Sequence, residues 1–358
     1  MNGRQGRDFA SDNTAGVAPE IMAAIQAANH GPASSYGADA LTARLTALAR
    51  ELFETELEIF PVATGTAANG LSLAAVSPPY GAIYCHETAH VLIEECGAPE
   101  FYSGGAKLIG LPGPAGRLTS AGLETALAQA AESGVHHATP AAISITQATE
   151  WGTVYQPAAV AELGQLARAR GLRLHMDGAR LANAIARLGC SPAAATWRAG
   201  VDVLSLGATK NGALAAEAVL VFDPALAKGM AERRKRAGHL FSKQRFLSAQ
   251  LLAYLEDGLW LANAGHANRL AGRLGAGLAR LPGCRLAHPV EANEVFAVLP
   301  DLAIDALLAE GFRFYRWPGE GGGSSIRLVT AFNSDDADID AFLAAAARHV
   351  AAAAGRAA

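Results

Sequence analysis

The sequence predicts an α/β fold: a large three-layer domain on a mainly parallel sheet, followed by a smaller C-terminal α+β domain. Three observations carry this reading. Short apolar runs alternate with Ala- and Leu-rich helical stretches through the first 225 residues or so. Several of those runs are apolar on both faces, as strands buried inside an α/β sheet must be. Beyond residue 225 the alternation gives way to long helical periodicity and then to paired β-like runs.

In chain order, the first 30 residues read as an arm. Strand-like runs follow at 57–62, 82–85, 141–147, 172–176, 201–206 and 216–222. The last two are close enough to pair around a short loop. Helical stretches at 39–52, 66–76, 121–132, 157–170 and 178–188 lie among them. Helical periodicity then runs from about 245 to 280. A strand at 294–299, a helix at 301–310, β-like runs at 312–317 and 325–329 and an Ala-rich closing helix at 341–358 complete the chain. Glu320-Gly321-Gly322-Gly323-Ser324 reads as a flexible turn, since no helix pattern follows it as a phosphate loop would need. The expected organisation is an arm at 1–30, a large domain at 31–260 and a small domain at 261–358.

Composition narrows the class. Hydrophobic residues make up 51% and charged residues 17%, ample for a large core and contrary to disorder. A net charge of −4 argues against a nucleic-acid partner, and the basic run Arg233–Arg236 reads as a solvated helix face. Cys85, Cys96, Cys190 and Cys284 stand far apart, with neither CxxC nor Cys/His ligand spacing, so reduced thiols and no metal are expected. MNGRQGRDFASDN lacks the apolar run of a signal peptide. The longest apolar stretch, around 213–227, contains Glu217 and Asp223 and is too polar to span a membrane. The expectation is a soluble, cytoplasmic protein with no membrane partner.

Ligands of open α/β sheets bind beyond the carboxyl ends of the strands. Five of the expected strands end there in polar residues. Run 172–176 delivers Asp177. Run 201–206 leads into Gly207-Ala208-Thr209-Lys210, and 57–62 into Thr64-Gly65-Thr66-Ala67-Ala68-Asn69. Run 82–85 is followed by His86 and His90, and 141–147 by Gln147, Thr149 and Glu150. Singly, each has an ordinary explanation. Asp177 could cap helix 178–188, Arg180 could be its i,i+3 partner, and Lys210 could be a surface lysine. His86 and His90 could be a metal pair without a third ligand, and a short Gly/Thr turn is a weak signal.

Together they suit pyridoxal 5'-phosphate. That cofactor needs a lysine to condense with its aldehyde and an acid to keep its pyridine nitrogen protonated. Its phosphate needs backbone N–H groups at a helix N-terminus, which Gly65 and Thr66 could supply. A flat side chain must lie over the ring, for which His90 is a candidate, and an arginine fork must fix the substrate carboxylate.

LHMDGARLANA (174–184), SLGATKNGA (205–213) and SDNTAGVAP (11–19) closely resemble the L-threonine aldolases of the aspartate-aminotransferase-like fold, fold type I of the pyridoxal-phosphate enzymes. The resemblance runs over nearly the whole chain and implies a role for each matched residue. Lys210 is similar to the cofactor-condensing lysine and Asp177 to the partner of the pyridine nitrogen. Gly65, Thr66 and Arg245 are similar to phosphate contacts. In HVLIEECGA, His90 rather than His86 matches the ring-stacking histidine, and His136 matches a second active-site histidine near the substrate hydroxyl. Arg180 and Arg327 resemble the pair that binds the substrate carboxylate, with Ser11 as a further contact.

Two departures stand out. Thr146-Gln147-Ala148-Thr149-Glu150 replaces an Asn-Thr-His-Asn stretch, and Glu94 replaces a frequent aromatic; both positions are expected to face the substrate's β side. The activity implied is cleavage of an L-β-hydroxy-α-amino acid (threonine, allo-threonine or phenylserine) to glycine and an aldehyde. His90 or His136 is the expected group at the hydroxyl. The oligomer implied is a homotetramer of dimers sharing active sites. The alternatives are a β-eliminating lyase, transaldolase or aminotransferase using the same cofactor, or a non-catalytic ligand-binding protein on the same scaffold.

Overall fold

Seven strands form the central sheet of the computed structural model, which describes residues 7–318 and 324–357. They are β1 (Glu58–Val62), β2 (Gly81–His86), β3 (Lys107–Leu111), β4 (Thr139–Thr146), β5 (Arg173–Gly178), β6 (Val203–Leu206) and β7 (Glu217–Val221), in the order β1-β7-β6-β5-β4-β2-β3. Only β7 runs against its neighbours. The carboxyl ends of β1, β6, β5, β4 and β2 therefore share one edge. Every expected run overlaps a strand, and 201–206 and 216–222 pair as neighbours. β3 is an addition. Its sequence KLIGL is short, broken by Gly110, and half exposed at the sheet edge, so no continuous apolar run marks it.

Alternation along the strands sorts their side chains between two cores. Ile143, Leu174, Met176, Leu204 and Leu220 face one layer of helices. Val62, Ile83, Cys85, Val203 and Val219 face the other, where helix Gly65–Val76 lies. On this second face the centre of the sheet is polar. His175 bonds Ser144 Oγ through Nδ1 at 2.9 Å and Ser205 Oγ through Nε2 at 3.0 Å. Asp177, two residues on, points the same way by the period of the strand.

Three expectations about helices change, the simplest being the closing helix, which spans Asp336–Ala357 and so begins before 341. The helix after β5 spans Leu181–Leu188 rather than starting at 178, because Asp177 and Gly178 belong to the strand. Asp177 does not cap it; Arg180 occupies the N-cap position, without a side-chain cap bond. The 245–280 periodicity is two helices, Arg245–Leu255 and Leu259–Leu278, separated where Asp257 (φ 52°) and Gly258 (φ 73°) take left-handed backbone.

A second sheet, antiparallel, has the order β10-β11-β9-β8, from β8 (Arg285–Leu286), β9 (Glu294–Val298), β10 (Tyr315–Pro318) and β11 (Ser324–Val329). The turn expected at 320–324 lies, but for Ser324, outside the described residues. Leu270, Leu274, Ile304 and Phe342 cover this sheet as a separate core. The chain start is stitched to it. Phe9 is buried in that core, takes a hydrogen bond from Val329 N, and donates its own N–H to Arg313 O. Further along, Ala18 N bonds Gly212 O, bringing the arm beside Lys210. Among the described residues no helix is long and apolar enough to cross a membrane.

Candidate active site

The shared strand edge opens into a cavity of about 450 Å³ lined by Thr64, Gly65, Thr66, Asn69, His90, Thr146, Asp177, Arg180 and Lys210, among others. Its geometry starts with two glycines. A Cβ on Gly178 would stand 2.8 Å from Ser205 O, and one on Gly207 2.5 Å from Ala179 O. Only glycine lets the ends of β5 and β6 approach this closely. That approach sets Asp177, on β5, beside the single turn Thr209–Asn211 that carries Lys210.

Asp177 is buried, and Ala179 N donates to its Oδ1 while Asn69 Nδ2 donates to its Oδ2, at 2.9 and 2.8 Å. A carboxylate can accept about four such bonds, so lone pairs remain on the cavity side. Asn69 also donates to Glu95 Oε1 at 2.8 Å, and that same oxygen bonds His90 Nδ1 at 2.9 Å. The result is a continuous relay, His90–Glu95–Asn69–Asp177. The Glu95 bond raises the pKa of His90; burial and Lys210 oppose it, and Asp177 assists.

Two further carboxyls line the cavity. Burial pushes Glu150 up to about 7 against the hydrogen bonds from the His90 N–H and the Thr146 hydroxyl. Burial likewise lifts Glu217 to about 7, opposed by bonds from Thr209 and from Ala208 N and by nearby Lys210. His175, beneath Asp177, is driven down to about 4 by burial and is neutral there.

Arg180 is almost fully buried and already paired. Its Nε and Nη2 donate to Asp12 at 2.7 and 3.0 Å, and Nη1 lies 3.4 Å from Glu294 Oε2. Burial disfavours the charge on Asp12, but Arg180, Lys210 and bonds from Arg180 and Asn293 outweigh it and hold the carboxyl below its usual range.

Of the residues expected at the site, Lys210, Asp177, Gly65, Thr66, His90 and Arg180 line this cavity together. Five others do not. His136 sits in an exposed turn, Gly134–His136, ahead of β4. A residue preceding a parallel strand lies at the edge opposite to one following it, and His136 borders a different cleft beside Lys107 and Ile109. Arg245 bonds Gly31 O at 2.9 Å and stacks on Phe246. Ser11 caps the turn Asp12–Thr14 and faces another cleft, while Asn13 reaches the cavity and Asp12 meets Arg180. Arg327 bonds Glu294 at 3.1 Å, one carboxylate removed from Arg180. Glu94 is exposed at the end of the short helix His90–Ile93, and its neighbour Glu95 turns inward instead. Within the 146–150 stretch, Gln147 bonds Tyr155 and Thr149 bonds Thr153, leaving Thr146, Ala148 and Glu150 on the cavity. His86 bonds Thr88 Oγ1 and Gly113 O.

The cavity fits pyridoxal phosphate on its own chemistry. Buried Asp177 has accepting capacity facing inward, and a lysine stands on the next strand end. At the N-terminus of helix Gly65–Val76 the Thr64 side chain caps only Ala67 N. A Cβ on Gly65 would meet nothing within 4 Å, so that end has the room an anion requires.

Comparison with known proteins agrees. The beta-eliminating lyase family model matches residues 8–301. The chain is 46% identical to a low specificity L-threonine aldolase of a Pseudomonas species, over 94% of this chain and 95% of that one. It is 47% identical to the Pseudomonas aeruginosa protein of the same name, over 92% and 94%. A Leishmania major threonine aldolase superposes with a TM-score of 0.90 at 28% identity, covering 96% of this chain and 99% of the other. Spanning most of the chain at this level of identity, these matches show that the protein belongs to the beta-eliminating lyase family, in which its relatives are low-specificity L-threonine aldolases.

Proposed function

We propose that the chain is a low-specificity L-threonine aldolase, a carbon–carbon lyase that cleaves L-β-hydroxy-α-amino acids to glycine and an aldehyde. One observation carries the reading: buried Asp177 and Lys210 stand on adjacent strand ends of a single cavity, with an open helix N-terminus beside them. Pyridoxal 5'-phosphate supplies the electron sink at Cα when bound. Lys210 would anchor its aldehyde, Asp177 would accept from its ring nitrogen, Gly65 and Thr66 would hold its phosphate, and His90 would be the flat side chain nearest to it. Arg180, through donors not given to Asp12, would bind and orient the substrate carboxylate.

The arm at 1–30, the body at 31–260 and the smaller unit at 261–358 belong to the same proposal. So does a cytoplasmic homotetramer built from dimers that share sites. Exposed Tyr36 and Phe241, on adjoining loops, support an interface near Arg245.

The test is product analysis of the purified holoenzyme with L-threonine, L-allo-threonine and L-threo-phenylserine. Glycine with an equimolar aldehyde is expected, and Lys210→Ala should abolish both activity and borohydride-trapped cofactor. Pyruvate and ammonia in place of glycine would assign β-elimination to the site instead. Colourless protein, with trapping unaffected by Lys210→Ala, would sink the cofactor assignment.

A further inference from the structure

In the proposed cleavage some group must accept the β-hydroxyl proton. The cavity's basic groups are mostly committed. Lys210, proposed to hold the cofactor aldehyde, is the other amine or carboxyl to weigh. Asp177 is held by Ala179 and Asn69, and Glu217 by Ala208. His90 gives its Nδ1 to Glu95, a pairing that favours the protonated ring.

Glu95 has a bare buried oxygen too, but its Oε1 is paired with the His90 ring; Glu150 has no charged partner among the described residues. Both hydrogen bonds from neighbouring residues fall on one oxygen: Thr146 Oγ1 donates to Oε1 at 2.7 Å and His90 N at 2.9 Å. These neutral donors fix the carboxyl plane, while Oε2 is buried without any partner. The strand order sets its place. Glu150 follows β4, which lies on one side of β5, while Lys210 and the Thr64–Thr66 turn follow β6 and β1 on the other. Glu150 thus stands across Asp177 from the Thr64–Thr66 turn, on the cavity wall that also carries Thr146 and His90.

We propose that Glu150, through Oε2, is the catalytic residue that takes the β-hydroxyl proton. This rests on the aldolase reading above. The O–H bond breaks toward the carboxylate, and its electron pair closes the aldehyde carbonyl. The Cα–Cβ pair stays with the glycine fragment, and a proton returned to Cα completes glycine. Nothing is oxidised or reduced. The carboxyl is tuned for such work. Burial holds it near neutrality, and Asp177, facing it from β5, adds to the rise. Arg180, Cys85 and Tyr155 also lie in its field, and the His90 ring stands on the neighbouring short helix.

The experiment compares wild-type holoenzyme with E150Q and E150D. Four quantities are read: cofactor content by visible absorbance, benzaldehyde release from L-threo-phenylserine, exchange of the glycine α-hydrogen with deuterium oxide by NMR, and carboxyl absorption in an infrared pH titration. Glycine has no β-hydroxyl, so its exchange bypasses the step assigned to Glu150. E150Q is expected to keep cofactor and glycine exchange within a few-fold while cleavage falls roughly 10²–10⁴-fold. The wild-type infrared titration should contain a carboxyl ionising near 7 that E150Q lacks. Parallel loss of cleavage and exchange, or loss of neither, overturns the proposal. Should E150Q fail to bind cofactor, E150D decides: a selective loss of cleavage supports the assignment, and any other pattern refutes it. Absence of glycine from wild-type phenylserine turnover would instead refute the aldolase reading itself.

Discussion

The raised pKa of Glu150 makes a prediction about stability that is independent of turnover. A carboxyl ionises near 4.5 when the chain is unfolded and at about 7 in the folded protein. Between those values the folded state keeps a proton that the unfolded state has lost, so stability falls as pH rises through the window, and the penalty is complete above it. The gap corresponds to roughly 3 kcal/mol, at about 1.36 kcal/mol per pH unit. Glu150→Gln keeps the shape and both acceptor bonds on Oε1 but cannot ionise. In urea unfolding of the cofactor-free protein, E150Q should match wild type near pH 5 and exceed it by a few kcal/mol near pH 8. Glu217 has the same sign of dependence and cancels in the comparison. An equal offset at both pH values, or a variant less stable at pH 8, would show that the folded protein does not hold this carboxyl protonated.

Three other perturbations follow from the polar network. Asn69→Ala removes the one donor shared by Asp177 and Glu95; with bonds to charged groups worth about 1.5–3 kcal/mol, the cofactor Kd should rise roughly ten- to hundredfold, and an unchanged Kd by fluorescence titration would contradict the relay. Glu95→Gln removes the main cause of the raised His90 pKa, so the His90 ring titration by NMR should move down; no movement would mean that Glu95 does not govern it. Asp12→Ala strips both partners from Nε and Nη2 of buried Arg180. With Glu294 still beside Nη1, the expected cost is about 1.5–3 kcal/mol, read as an earlier urea midpoint, and Asp12→Asn should recover part of it.

Much of the fold is legible in the sequence because strands buried on both faces must be apolar throughout, and such runs stand out. β3 escapes notice because an edge strand needs only one covered face. The cavity is legible where polar residues follow a strand, as at Asp177, Lys210 and the Thr64–Thr66 turn. His136 precedes its strand and so lies at the other edge of this subunit's sheet. Glu217 gives the plainest missed signal. A carboxylate inside an otherwise apolar strand demands a partner, yet in the sequence it serves only to exclude a membrane span. Asn69 is marked only as the end of a polar turn and Glu95 not at all, since their pairing joins residues 26 positions apart that packing alone brings together.

Arg180 explains why the substrate side of the cavity is the least legible part. Its guanidinium gathers three segments: the turn after β5, the arm through Asp12, and β9 through Glu294, which also holds Arg327 of β11. The apolar contacts of Phe9 anchor the arm to the second sheet, but hydrophobic burial is non-directional and leaves orientation open. A two-pronged bond from Arg180 to Asp12 fixes both position and plane. Stability and accuracy thus come from different sources here. The cores bring the arm and the second sheet to the rim, and the buried ion cluster sets how they face it. Apolar patterning records the first. The second depends on a pairing across 168 residues, which no local spacing encodes.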